Sequence, residues 1–93
     1  IWRDRTVNVG LLSADDCLAY GVTGPVLRAA GVPYDVRKDL PYSGYEKYDW
    51  EVQVGQNADI FDRYRVRMGE MRQSVRIIEQ VMQTMPQGPA NAD

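Results

Sequence analysis

From Phe61 to Met85 the apolar residues recur at steps of three and four: Phe61, Tyr64, Met68, Met71, Val75, Ile78, Met82 and Met85. That period puts all eight on one stripe of an α-helix and does not fit a strand, whose side chains alternate at every second residue. A helix over about 58–85 spans about 42 Å at 1.5 Å per residue. Asn57 or Asp59 can cap its start, and Pro86 with Gly88-Pro89 stops it. The ordinary expectation for such a stripe is a buried packing face, since this is how helices join cores. A stripe this long nevertheless exceeds what 93 residues can readily cover. It is therefore also a candidate interface, toward another subunit, a second copy or further parts of a parent protein. Gly69 interrupts the helix at a cost of about 1 kcal/mol relative to Ala, which marks either a close approach by a neighbour or nothing at all.

The preceding residues predict an α-rich α+β arrangement. Thr6–Leu12 is β-branched and apolar, and Trp50–Val54 alternates strictly, so strands are expected at about 6–12 and 50–54, paired antiparallel. In the second strand Trp50, Val52 and Val54 should share one face and Glu51 and Gln53 the other. Ser13 followed by Ala-Asp-Asp is a helix start with a hydroxyl cap and acids in the first turn, giving a short helix at about 14–20 that ends at Gly21. Thr23 starts a second at about 24–30, which Gly31 and Pro33 close. Between Tyr34 and Tyr48 no period holds. Pro41 and Ser43-Gly44 mark turns there, and the four tyrosines predict an ordered loop with a turn or two of helix. Residues 86–93 read as a flexible tail.

What the composition lacks narrows the function. There is no His and only one Cys, Cys17. A zinc, haem or iron–sulfur site made by this chain alone is thereby disfavoured, and a Ser–His or Cys–His nucleophile pair is impossible. No apolar run approaches the roughly 20 residues of a membrane span. The net charge of −2 points to no nucleic-acid partner. Five arginines crowd the long helix (Arg63, Arg65, Arg67, Arg72, Arg76), but Asp59, Asp62, Glu70 and Glu79 leave it only +1. Pairs such as Asp59–Arg63, Asp62–Arg65 and Arg72–Arg76 mix attraction with repulsion, and a solvated or paired face is favoured over an RNA-binding one. The tyrosine loop with Arg37 and Lys38 could hold a polar ring or an anion, yet it lacks an accompanying acid–base group, so the rings are expected to anchor the loop. Gly21-Val22-Thr23-Gly24-Pro25 lacks the Gly-Lys-Ser/Thr of a phosphate loop and is a turn.

Several strings fall in a recognisable order: Ile1-Trp2-Arg3-Asp4-Arg5-Thr6, Gly21-Val22-Thr23-Gly24-Pro25-Val26-Leu27-Arg28-Ala29, Tyr34-Asp35-Val36-Arg37-Lys38, Pro41-Tyr42-Ser43-Gly44-Tyr45, Phe61-Asp62-Arg63-Tyr64, and Glu70-Met71-Arg72-Gln73-Ser74-Val75-Arg76-Ile77-Ile78. From Ile1 to about Pro89 the chain resembles the D-subunit family of respiratory complex I, the proton-pumping NADH:quinone oxidoreductase, which is related to the large subunit of nickel–iron hydrogenases. It departs from that pattern at Phe61, Gly69 and Cys17. The resemblance implies that residues 1–93 form a single fragment from the middle of a larger subunit, a scaffold in the quinone-reduction module that is inactive alone. It implies no catalytic, cofactor-binding or metal-binding residue in this chain. Quinone, NADH, FMN and the iron–sulfur clusters would be held by the parent complex, the clusters and FMN on other subunits. The implied partners are other complex I subunits, above all the small subunit carrying the terminal cluster, and the rest of its own subunit. The implied location is a peripheral arm on the cytoplasmic face of the bacterial inner membrane, or on the mitochondrial matrix side. From the residues alone, a stand-alone helical interaction module that associates through the Phe61–Met85 stripe, as a homo-oligomer, is the alternative.

Overall fold

The first turn of an α-helix leaves amides without carbonyl partners, and those amides decide what the start of this chain does. The computed structural model describes residues 1–91. Among them are four helices: α1 (Ala14–Ala19), α2 (Gly24–Ala29), α3 (Val36–Asp39) and α4 (Ile60–Thr84), with a 3-10 turn at Tyr45–Lys47 between the last two. No strand occurs among the described residues, so the antiparallel pair expected at 6–12 and 50–54 is not formed and the α+β expectation is corrected to an all-helical fold.

Both expected strands lost their ladders to α4. The Thr6 carbonyl accepts from the Phe61 amide at 3.2 Å and the Val9 carbonyl from Ile60 at 3.0 Å, while Leu12 donates to Ala58. Residues 6–12 therefore satisfy the open end of α4 instead of a sheet, bending through left-handed angles at Asn8 and Gly10 to do so. Residues 49–55 stay extended but run along α4. The Asp49 amide donates to the Gln80 side chain at 2.8 Å, Glu51 to the Gln73 side chain at 2.9 Å, and Gly55 to the Arg28 carbonyl at 2.9 Å. Glutamines projecting from a helix thus supply the acceptors that a second strand would have given. The expected two-sided alternation breaks down accordingly. Trp50 is buried and Glu51 exposed, but Val52 and Gln53 are both half-buried and Val54 is exposed. Gln53 is turned onto Gly69, where an added Cβ would lie 2.6 Å from its Oε1. Of the two readings of a glycine inside the helix, that contact selects the close neighbour.

The short helices follow their sequence signals. Ser13 Oγ accepts from the Asp16 amide, capping α1, and Gly21 takes a left-handed angle beyond its end. Asp59 caps α4 by accepting from the Asp62 amide at 2.7 Å, so the helix starts two residues later than expected. α2 packs on α4 and α1 on α2. The small apolar core between them holds Cys17, Leu27, Ala29, Trp50, Val66 and Ile77. α4 projects past this core, and the molecule measures 53 × 31 × 23 Å. Of the expected flexible tail, residues 86–91 are exposed and non-helical, and 92–93 lie outside the described residues.

Candidate functional site

α4 has two working faces. At about 100° per residue, Asp62, Val66, Gly69, Gln73, Ile77 and Gln80 fall on one side. These are the residues covered by the rest of the chain or bonded to it. The Phe61–Met85 stripe falls on the opposite side, about half a turn away. Met71 is 58 % exposed, Val75 54 %, Ile78 59 % and Met82 67 %; Met85 is also exposed, while Phe61 and Met68 are half-buried. At the N-terminal end Trp2 meets the Tyr64 ring edge-on at 5.3 Å. Within this chain the apolar period of α4 therefore marks the face that is left open.

The inner face is polar, and its charges are paired. Arg28, only 8 % exposed, rises from α2 and donates through Nε to Glu70 Oε1 of α4 at 2.6 Å. Its Nη1 donates to the Tyr34 carbonyl at 3.0 Å and lies 3.7 Å from the Asp35 carboxylate. Asp35 is gripped again by Arg37, through Nε at 3.0 Å and Nη2 at 2.8 Å. The Arg37 hydrogen bond, against the effect of burial, holds the Asp35 carboxyl below the usual carboxylate range. Arg37 then lies 4.4 Å over the Trp50 ring, and the Lys38 ammonium 4.6 Å from the same ring. The two cations of the tyrosine loop are thus engaged in holding Trp50, and Tyr42 and Tyr45 pack edge-on at 5.3 Å. This arrangement anchors the loop.

Asp62 does not pair with Arg65 as its spacing suggested. Its Oδ2 accepts from the Gln56 amide, the Asn57 amide and the Asn57 side chain at 2.8–3.1 Å, and no ion pair to Arg65 forms among the described residues. Burial pushes its pKa up, but those amides, together with the nearby Arg65 charge, outweigh burial and hold the carboxyl below its ordinary range. Asp59 likewise caps its own helix and accepts from the Asn8 amide instead of pairing with Arg63. Because Asp35 and Asp62 are both depressed on folding, they add stability above the unfolded carboxylate pKa of about 4, and that contribution disappears as pH falls through their folded values. The urea midpoint should therefore be flat from pH 7 to 5 and fall steeply below pH 4. Asp35→Asn should flatten that acid limb; an unchanged limb would contradict the assignment.

Sequence reasoning did not find the Arg28–Glu70 pair, which spans 42 residues. The available signal was a lone arginine inside the otherwise apolar Val26-Leu27-Arg28-Ala29. Cys17 is fully buried with its thiol 3.9 Å from the Leu12 carbonyl. Among the described residues no three His, Cys, Asp or Glu side chains converge as metal ligands. The donor set does not fit an iron–sulfur cluster, so no chemical step is assigned to one. No described helix is long and apolar enough to cross a membrane.

Residues 1–93 match the family model described as the 49 kDa subunit of respiratory-chain NADH dehydrogenase. The chain belongs to that family. It is 56 % identical over 93 residues to the D subunit of the NADH-quinone oxidoreductase of Citrifermentans bemidjiense, covering 100 % of this chain and 24 % of the relative. It is 62 % identical over 89 residues to the second D subunit of the Solibacter usitatus enzyme, covering 96 % and 24 %. Against the second D subunit of the Chloroflexus aurantiacus enzyme it is 56 % identical over 85 residues, covering 91 % and 21 %. The chain thus spans about a quarter of the length of the curated relatives it matches.

Proposed function

We propose that this member of the 49 kDa family is a scaffold segment of an NADH:quinone oxidoreductase subunit. In this reading it shapes the quinone-reduction module of a peripheral arm, at the cytoplasmic face of a bacterial inner membrane or on the matrix side in mitochondria. NADH, FMN and the iron–sulfur clusters are handled by other subunits, with the small subunit of the terminal cluster as its main partner. The supporting observation is the opposition of the two faces of α4. The inner face is tied down by Arg28–Glu70 and by the glutamine bonds to residues 49 and 51, whereas the apolar stripe at Met71, Val75, Ile78 and Met82 is open. An open apolar stripe is unfavourable at about 25 cal/mol per Å², so it requires cover from its own subunit or another. In the isolated chain a second copy supplies that cover, and Met adapts to such a non-native partner.

A hybrid protein tests this reading. Residues 1–93 replace the matching segment of the Citrifermentans bemidjiense relative. The hybrid should assemble and sustain NADH-dependent quinone reduction. The same hybrid with Met71→Glu and Val75→Glu should fail to assemble. Normal assembly of the doubly charged hybrid would reject the stripe as an interface. For the isolated chain, sedimentation should give a dimer at tens of micromolar and no NADH-dependent quinone reduction. A folded monomer, or turnover by the chain alone, would contradict the proposal.

A further inference from the structure

Three of the five arginines on α4 are in use. Arg63 donates to the Gly10 and Ala58 carbonyls, Arg67 to the Arg63 carbonyl, and Arg76 pairs with Asp49. The other two, Arg65 and Arg72, make no hydrogen bond or ion pair among the described residues, and both are exposed. Both line the same groove, a cavity of about 570 Å³ between α4 and residues 53–57. Seven residues apart, they stand about 10.5 Å from one another along the helix and only about 20° apart around it. Arg65 is steadied by Phe61, its guanidinium 5.9 Å from the ring centroid. Gln53, Gln56 and Asn57 border the groove on one side, and Tyr64, Val66 and Met68 of α4 on the other. Its single carboxylate, Asp62, is buried, with Oδ2 already accepting three N–H groups.

We propose that this groove recognises an acidic peptide segment of a partner protein, one that offers two carboxylates three residues apart in a polyproline-II conformation. In that conformation residues i and i+3 share a face and stand about 9 Å apart, close to the Arg65–Arg72 spacing. A guanidinium takes a carboxylate through two parallel N–H donors, so each arginine engages one acid. The solvated backbone of such a segment leaves amides and carbonyls free for Gln53 and Gln56. The groove shares Tyr64 and Met68 with the apolar stripe but not its open part at Met71, Val75, Ile78, Met82 and Met85.

Fluorescence anisotropy with the full 93-residue chain tests it, using a labelled peptide containing Glu-Pro-Pro-Glu. A peptide of equal charge with adjacent glutamates, a Gln-Pro-Pro-Gln peptide, inorganic phosphate and a short single-stranded RNA serve as comparisons. The spaced acidic peptide should bind at least about tenfold tighter than the adjacent one. Arg65→Gln and Arg72→Gln should each weaken it about tenfold with the helical CD spectrum unchanged, and Arg72→Lys should recover part of the loss. Binding should weaken as salt rises. Equal binding of both acidic peptides, insensitivity to either Gln variant, absence of binding by folded chain at millimolar peptide, or equal binding of phosphate or RNA would each overturn the proposal.

Discussion

Replacing Arg28 with Met should remove about 3 kcal/mol or more from the folding stability of this chain. The guanidinium is the hub at which α2, α3 and α4 meet. It holds Glu70 at 2.6 Å and the Tyr34 carbonyl at 3.0 Å, and lies beside Asp35. Met fills a similar volume but leaves the Glu70 carboxylate, itself mostly covered, without its donor and strips the Tyr34 carbonyl of its partner. Breaking one side of a covered pair costs far more than the pair contributes, because the surviving charge remains desolvated. A chain of this size has roughly 5–14 kcal/mol of stability in total, so the loss is a large share of it. Asp35 retains Arg37, which sets the comparison: Arg28→Lys should fall between wild type and Met, since it keeps the charge but loses the fork. Urea unfolding followed by far-UV CD reads these differences. A loss below about 1 kcal/mol for Arg28→Met would mean that the pair is structurally incidental.

Gly55→Ala should be the most damaging single-methyl change, at about 2–3 kcal/mol. A Cβ at this position would meet the Ala29 carbonyl oxygen at 2.8 Å, the Ala29 Cα at 3.1 Å and Asp62 Oδ2 at 3.0 Å. Two of those atoms are backbone of α2 and cannot rotate away. Moving residue 55 outward would also stretch its amide from the Arg28 carbonyl and Ala58 from the Ala29 carbonyl, and would disturb the amide cradle of Asp62. Gly24 gives the contrast. It has a left-handed angle but open space around it, so Gly24→Ala carries only the backbone strain of about 1–2 kcal/mol. Thermal melts of both variants decide the matter: a larger drop for Gly24→Ala than for Gly55→Ala would show that the close approach to α2 is not a tight constraint.

The long helix, the two short helices and their glycine ends were legible, and the cap of the long helix was narrowed to Asn57 or Asp59, because each depends on residues within one or two turns of one another. So was the family, since its strings lie in order along the whole chain. The Trp50–Val54 alternation carried a misleading signal. An alternating pattern reports an extended backbone, not the nature of its neighbour, and here the neighbour is a helix offering Gln73 and Gln80 as acceptors. Thr6–Leu12 misled in the same way, with its carbonyls taken by the first amides of α4.

The sequence by itself determined where the backbone turns helical and which stripe of α4 is apolar, because propensity, capping and period are local properties. Only the tertiary structure decided which face of that helix the chain would use. It chose the side of Asp62, Gly69, Gln73 and Ile77, because the remaining residues bring buried charges and unpaired amides that need polar partners more than they bring apolar area. An unsatisfied buried polar group costs more than a methionine left in water, so hydrogen bonds and the Arg28–Glu70 pair set the orientation of α4. The apolar stripe was left facing out.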